Sequence, residues 1–298
     1  KKVTAGCLLS SSAEEANYWT VQAQCFTDPR SPELAPLLVA IEYLVALEGP
    51  FWRKIRGKGL SYSYSLSNSL ESGTISFGLF KATDPVVAFQ QAASIVQLIC
   101  SEDAAAASEG DAKKGEAPAE GDGEDDDGKD GEDGDGKDGE DGGEEDDEDE
   151  DDEDEIGIHP TALEAAQSGV LFGLIEPVDT VPGTLDEVFS NALAREPTDQ
   201  LQWLLKEVQA VTAEAVQAAM RKYILPVFDG STGRTVSLMC PAKKKKDIVK
   251  QLRKLKPPFK VLSLGVDELV KVLSQPDGYA GLRERVVTHA KEGKDGAR

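Results

Sequence analysis

Residues 47–64 read LEGPFWRKIRGKGLSYSY and join a predicted helix to a predicted strand. The Gly49-Pro50 pair ends the helix, because proline donates no amide hydrogen and clashes with the preceding helical turn. Gly57 and Gly59 predict a tight turn, since glycine adopts backbone conformations that other residues avoid. From Leu60 to Leu70 serine alternates with larger residues, and this period of two is typical of a strand. The stretch therefore predicts a helix, a turn and a strand in close succession.

The sequence on either side extends this order. Apolar residues at helical spacing between Glu33 and Leu47 predict an amphipathic helix, and Asp84-Pro85 predicts the start of another. A helix at 212–223 is expected to end before Pro226. The other predictions are strands at 3–9, 18–26, 74–81, 235–239 and 261–264, and helices at 86–100, 161–175, 181–194, from 198, and at 243–255. Meandering strands with helices grouped on one face indicate an α+β fold with an antiparallel-rich sheet.

Negative charge is concentrated in one segment of the chain. Residues 101–155 hold 30 Asp and Glu against 4 Lys, whereas the rest of the chain has 28 Lys and Arg against 25 Asp and Glu. A segment of this composition, without aromatic residues, cannot bury enough apolar surface to offset its ordering entropy. Residues 102–155 are therefore predicted to be a disordered acidic insert in a near-neutral fold.

Composition also bears on the class of protein. No broad basic patch with interleaved aromatic residues is present, so nucleic-acid binding is not expected. No apolar run reaches the roughly 20 residues that span a bilayer, which predicts a soluble protein without a membrane segment, in the cytoplasm or an organelle matrix. The chain begins without Met and without a signal-peptide pattern, and it is expected to be a piece of a longer polypeptide.

Several motif-like patterns lack the context that their chemistry needs. Gly134–Gly139 matches the spacing of a dinucleotide-binding loop but lies inside the acidic segment, with no strand before it. The same segment completes no calcium-binding loop. His159 and His289 are the only histidines of the sequence, and neither has a second histidine at the spacing of a zinc site. The four cysteines are far apart, which predicts reduced, buried thiols.

The stretch from Leu47 to Tyr64 resembles the C-terminal half of M16 peptidases, the pitrilysin and insulinase family, and is closest to the presequence-protease-like branch. That family has a helix, a segment of the form "lw..iR.kGlaYg" and then a β-hairpin. The resemblance continues through ISFGLFKATDP at 75–85 and LKEVQAVTAEAVQAAMRKYILP at 205–226, and covers about residues 3–265 without the insert. It implies a LuxS/metallohydrolase-like domain in two parts, 1–101 and 156–265, separated by the insert 102–155 and followed by a helical and polar tail, 266–298.

What the resemblance implies for function is a mechanism divided between two lobes that close around a peptide. Zinc and the Glu that acts as base belong to the N-terminal lobe, on an H-x-x-E-H helix, and this chain corresponds to the zinc-free lobe, inactive alone. The family's C-terminal lobe presents an Arg and a Tyr to the substrate, and these correspond to Arg56 and Tyr62. Tyr64 lies two residues further on the same strand face, so it is the alternative to Tyr62.

Three hypotheses follow for the function of the chain. The first is the substrate-binding lobe of a zinc metalloendopeptidase that degrades peptides in a closed chamber, with the N-terminal M16 lobe as partner. The second is a non-catalytic structural or partner subunit of the same fold. The third is a module whose acidic insert binds basic proteins.

Overall fold

A six-stranded sheet organises the chain in the computed structural model, which describes residues 4–10, 17–101, 158–194, 196–256, 259 and 261–292. The strands are β1 (Thr4–Ser10), β2 (Asn17–Gln24), β3 (Ser61–Ser69), β4 (Thr74–Ala82), β5 (Arg234–Cys240) and β6 (Val261–Leu264). Their spatial order is β3-β4-β2-β5-β1-β6. The first four in this order pair antiparallel, whereas β1 is parallel to both β5 and β6. The predicted α+β fold with an antiparallel-rich sheet is confirmed.

The central strand β5 comes from the far end of the chain. It lies between β1 and β2, with Leu8 opposite Leu238 on one side and Val21 opposite Val236 on the other. The two strands predicted at the start of the sequence are therefore present but are not neighbours. Residues before and after the acidic segment thus build one sheet together.

Most of the described residues between the strands are helical. The bounds of the helices are α1 (Leu34–Val45), α2 (Pro85–Ile99), α3 (Pro160–Ile175), α4 (Val181–Ala194), α5 (Gln200–Gln209), α6 (Ala213–Ala219), α7 (Leu225–Asp229), α8 (Lys245–Lys254), α9 (Val266–Leu273) and α10 (Gly278–Glu292). A π-helical turn spans Trp52–Arg56, a second one spans Met220–Ile224, and a 3₁₀ turn spans Glu176–Val178. The predicted insert, 102–155, lies outside the described residues.

Helix starts follow the capping residues in the sequence. The Asp84 carboxylate accepts hydrogen bonds from the amides of Val86 and Val87, both at 3.1 Å, and Pro85 occupies the first helical position, where no amide donor is needed.

The prediction that the helix at 212–223 ends before Pro226 is wrong. The chain passes through the second π-helical turn into α7, where Pro226 lies in the first turn and leaves no helical hydrogen bond unmade.

Aromatic residues from both parts of the chain form the centre of the core. Trp19 of β2 stacks on Phe89 of α2 with ring centroids 4.9 Å apart, and Phe77 of β4 meets Phe228 of α7 at 5.2 Å. Phe259 packs edge-on against Phe89 at 5.4 Å. Offset and edge-to-face pairs of this kind add to the free energy gained from burial. The core therefore ties the hairpin β3–β4, and with it the stretch 47–64, to the second part of the chain.

The cysteines, the predicted tail and the apolar helices bear on the other sequence predictions. Among the cysteines whose side chains are described, Cys240 is buried while Cys25 and Cys100 are half-buried, and all three are free thiols. In the predicted tail, α10 packs against β1 and β6. Within the described ranges, no helix is long and apolar enough to cross a bilayer.

Candidate functional site

Buried side chains fix the turn that carries Arg56. Phe51 and Ile55 are fully buried, and their spacing anchors both ends of the π-helical turn Trp52–Arg56 in the core. Three backbone hydrogen bonds then close the connection to β3. The Trp52 carbonyl accepts from the Gly57 amide at 2.8 Å, the Ile55 carbonyl from the Leu60 amide at 2.9 Å, and the Arg56 carbonyl from the Gly59 amide at 2.9 Å. The backbone at Arg56 is thus held from both sides.

Glycine is required at two positions of this connection for different reasons. A Cβ atom at Gly57 would lie 2.6 Å from the carbonyl oxygen of Arg53, which is closer than non-bonded atoms approach. Gly59 has open space around it, but its φ of 65° lies in the left-handed region. The sequence prediction of a glycine turn is confirmed.

The side chains of Arg56 and Tyr62 both reach solvent from this anchored frame. Arg56 is exposed at the end of the π-helical turn, and Tyr62, the second residue of β3, is 68% exposed. Tyr64 differs, because it is half-buried and its ring meets Phe51 edge-on at 5.9 Å. Of the two tyrosines, Tyr62 is the one free to contact a bound molecule over most of its surface.

Electrostatics link Arg56 to Tyr64. Burial raises the pKa of the Tyr64 phenol, and the positive charge of Arg56 acts in the opposite sense and lowers it. A guanidinium and two phenols, which are side chains with hydrogen-bond donors, therefore lie at the start of β3. Such an arrangement can hold a peptide backbone or a carbonyl oxygen that gains negative charge.

A cleft of about 690 Å³ opens beside the same turn. Its wall includes Tyr43 of α1, Arg53 and Lys54 of the π-helical turn, and His159 just before α3. Burial raises the pKa of Tyr43 to about 12, so this side chain is a neutral donor at physiological pH. Sequence reasoning missed this cleft, since only tertiary packing brings residue 159 next to residue 53.

The described residues around His159 do not fit a zinc site. The neighbours of His159 in the cleft include the cationic side chains Arg53 and Lys54, which disfavour a divalent cation. In the parts of the chain that the structure describes, no three His, Cys, Asp or Glu residues come close enough together to hold a metal ion.

Comparison with known proteins gives short sequence matches and longer structural ones. No protein-family model matches the chain. An uncharacterized protein of Saccharomyces cerevisiae, YOL098C, is 37% identical over 70 residues, and C05D11.1 of Caenorhabditis elegans is 35% identical over 69 residues. These matches cover 24% and 23% of this chain but 7% of each relative, so the matched stretch is a small part of much longer proteins.

Several solved structures with a similar arrangement are described as proteases. A protease from Helicobacter pylori has a TM-score of 0.50 at 8% identity, over 80% of this chain and 44% of that chain. The periplasmic protease PqqL from Escherichia coli gives 0.47 at 13% identity over 81% and 21%, and pitrilysin gives 0.42 at 8% identity over 80% and 20%. At these identities the likeness bears on the fold alone, and the chain shares its α+β fold with the Helicobacter pylori protease.

Proposed function

We propose that this chain is the substrate-binding lobe of a zinc metalloendopeptidase of the M16 type, and that the zinc is held by an N-terminal lobe. One observation carries the proposal. Arg56 and Tyr62 are exposed on a segment whose buried anchors, Phe51 and Ile55, leave the backbone little freedom. Donors that are fixed before the substrate arrives are what transition-state stabilisation requires, because they cost no reorganisation during the reaction.

The role of the two side chains follows from their chemistry. The Arg56 guanidinium supplies a fork of N–H donors, and the Tyr62 phenol supplies one O–H donor. In the proposed closed chamber they hold the substrate backbone near the scissile bond from the side opposite the metal. Donors of this kind contribute on the order of 10²–10³ in kcat when they act on a developing oxyanion.

A further observation supports a partner lobe. Apolar side chains at helical spacing on α4 are largely exposed, and these are Val181, Leu185, Val188 and Phe189, between 60% and 84% accessible. A contiguous apolar helix face of this kind is typical of a surface that packs against another protein or domain. Helix α4 would thus contribute to the contact with the rest of the enzyme.

The proposal is tested in the assembled enzyme with an internally quenched peptide. We expect Arg56→Ala and Tyr62→Phe each to lower kcat and kcat/KM together by about tenfold or more, because an interaction made in the transition state affects both. Thermal unfolding should be unchanged for both variants, since both side chains are exposed.

Tyr64→Phe is the matched control for register. It removes the same hydroxyl from the same strand, two residues away, and it leaves the ring on Phe51. Wild-type turnover by Arg56→Ala and Tyr62→Phe would contradict the site and would favour the non-catalytic subunit. A loss confined to Tyr64→Phe would move the site to Tyr64.

A further inference from the structure

A second groove, of about 750 Å³, lies at the opposite end of β3 from Tyr62. Helices α1, α4 and α5 form its sides, and Asn68–Glu71 at the tip of the β3–β4 hairpin forms its rim. Six residues of extended strand separate Tyr62 from Asn68, which is about 20 Å. The volume is in the range of ligand-binding clefts. We call this the Gln200 groove, after the polar residue in its wall.

Gln200 is a buried polar side chain whose oxygen accepts no hydrogen bond from the described residues. Its side chain is 7% exposed, and its Nε2 donates to the Pro29 carbonyl at 2.6 Å. This bond fixes the amide orientation, because a flipped amide would set two oxygens against each other. The Oε1 atom then has no donor within the described part of the chain. A buried acceptor without a donor loses the hydrogen bond that it makes with water in the unfolded chain, and a ligand N–H can replace that bond.

Among the residues that the structure describes, the ionisable side chains that line the groove are all acidic. They are Glu71 on the hairpin, Glu187 on α4 and Glu196 just after α4, and the last two are half-buried. The nearby cation Arg30 is held elsewhere, since it pairs with Asp199 and lies over the Trp203 ring at 4.9 Å. The groove therefore favours a cationic ligand.

Leucine side chains supply much of the apolar surface of the groove. Leu34 and Leu204 are buried at the base, and Leu193 stands 69% exposed at the rim. Apolar walls with a few polar groups that converge on the ligand are typical of recognition sites for small molecules and peptide segments. The three features together describe a ligand with an apolar group, a cation and an N–H donor.

We propose that the Gln200 groove binds an extended peptide segment in which a basic side chain stands next to an apolar one. A backbone N–H of the peptide donates to Gln200 Oε1, the apolar side chain packs between Leu193 and Leu204, and the basic side chain pairs with Glu187 and Glu196. This site is separate from Arg56 and Tyr62 and does not depend on the peptidase function proposed above.

The test uses the full chain and a 12-residue peptide of alternating Arg and Leu that carries one benzoylphenylalanine for photo-cross-linking. Cross-linked residues are mapped by mass spectrometry, because the acidic segment 102–155 also attracts a basic peptide and the map separates the two locations. We expect cross-links within 187–204 and 68–71. A matched peptide with Glu in place of Arg should give none there.

Charge variants decide whether the groove acts as proposed. The double variant Glu187→Gln with Glu196→Gln should lower the yield of cross-links at 187–204 at least fivefold and leave those at 102–155 unchanged. The control double variant, Glu164→Gln with Asp186→Asn, removes the same charge at exposed positions outside the groove and should leave the map unchanged. Cross-links found only at 102–155, or an equal yield at 187–204 in both double variants, would overturn the proposal.

Discussion

Arg234 is a cation enclosed by the core of the molecule. It is 3% exposed, its Nη1 donates to the Val227 carbonyl at 2.9 Å and to the Phe228 carbonyl, and its guanidinium carbon lies 3.9 Å from the centroid of the Phe259 ring. Burial lowers its pKa to about 10, so it remains charged at neutral pH. The side chain thus closes the end of α7 against the first residue of β5.

Replacing this residue should cost stability. We expect Arg234→Met to lower the free energy of unfolding by about 1–3 kcal/mol, because two buried carbonyls lose their donor while the volume stays filled. Arg234→Lys should recover only part of the loss, since an ammonium can donate to the carbonyls but lacks the planar group that lies over the Phe259 ring. Urea unfolding measures the difference, and Arg253→Met, at an exposed position, should stay within about 0.5 kcal/mol of wild type.

Glu33 makes a pH-dependent contribution to the free energy of unfolding. Hydrogen bonds from Lys222, at 2.6 and 2.7 Å, and from Tyr223 hold the pKa of this carboxyl below its ordinary value. Because the pKa of the Glu33 carboxyl is lower in the folded state than in the unfolded state, the interaction stabilises the fold fully at pH values above the unfolded-state pKa of about 4.3. This stabilisation is lost as the pH falls through the folded-state pKa. Because Glu33 and Lys222 are both partly exposed, the contribution is about 1 kcal/mol or less.

The comparison of wild type with Glu33→Gln isolates this effect. The difference in unfolding free energy should be constant between about pH 5.5 and 8 and should shrink as the pH is lowered below about 4.5. The acidic segment titrates in both proteins and cancels in the difference. A difference that grows on acidification would contradict the assignment, and Glu71→Gln, at an exposed position, serves as control.

At the scale of elements, the two glycines of the Arg56 connection should respond differently to substitution. Gly59→Ala should lower the unfolding free energy by about 1–2 kcal/mol, and Gly59→Asn by less, because asparagine tolerates the left-handed region. Gly57→Ala and Gly57→Asn should both cost about 1–3 kcal/mol, since any Cβ meets the Arg53 carbonyl. Equal losses for the alanine and asparagine variants of Gly59 would show that strain is not the cause. Thermal and urea unfolding check the series.

Elements with local signals could be predicted from the sequence. The Asp84-Pro85 start of α2, the alternation in β3 and the short strand Val261–Leu264 are all present where their residues indicate them. The place of β5 could not be predicted, because it depends on partners about 210 residues away. Likewise, the exposure of Tyr62 and the partial burial of Tyr64 are decided by Phe51 and by the end of the strand, and no pattern within β3 distinguishes the two tyrosines.

At the scale of the whole molecule, the acidic segment joins two parts that already form one sheet. The end of α2 is held by the second part, through Gln217 Nε2 on the Ile99 carbonyl at 2.7 Å and Arg221 Nε on the Cys100 carbonyl at 3.0 Å. The last described residues before the acidic segment are therefore held by the second part of the chain. The Gln200 groove and the cleft at His159 also combine residues from both parts, and neither could be found from local sequence.

Deleting residues 102–155 should change the free energy of unfolding by about 1 kcal/mol or less. The entropy of closing a loop depends only logarithmically on its length, and these residues were predicted from composition to add no core. Equilibrium urea unfolding of the deletion variant measures the change. A loss of several kcal/mol would show that the segment packs against the fold.

The position of β5 also affects how the chain folds while it is being synthesised. On the ribosome, β1 and β2 are complete long before their shared neighbour exists, because about 210 residues separate the end of β2 from the start of β5, roughly 10–40 s of translation at ordinary rates. Throughout that interval two strand edges await a partner that has not been made, and unpaired edges readily pair with other chains. During that interval the nascent chain is in a state that chaperones recognise, and its yield in a cell depends on how quickly β5 emerges.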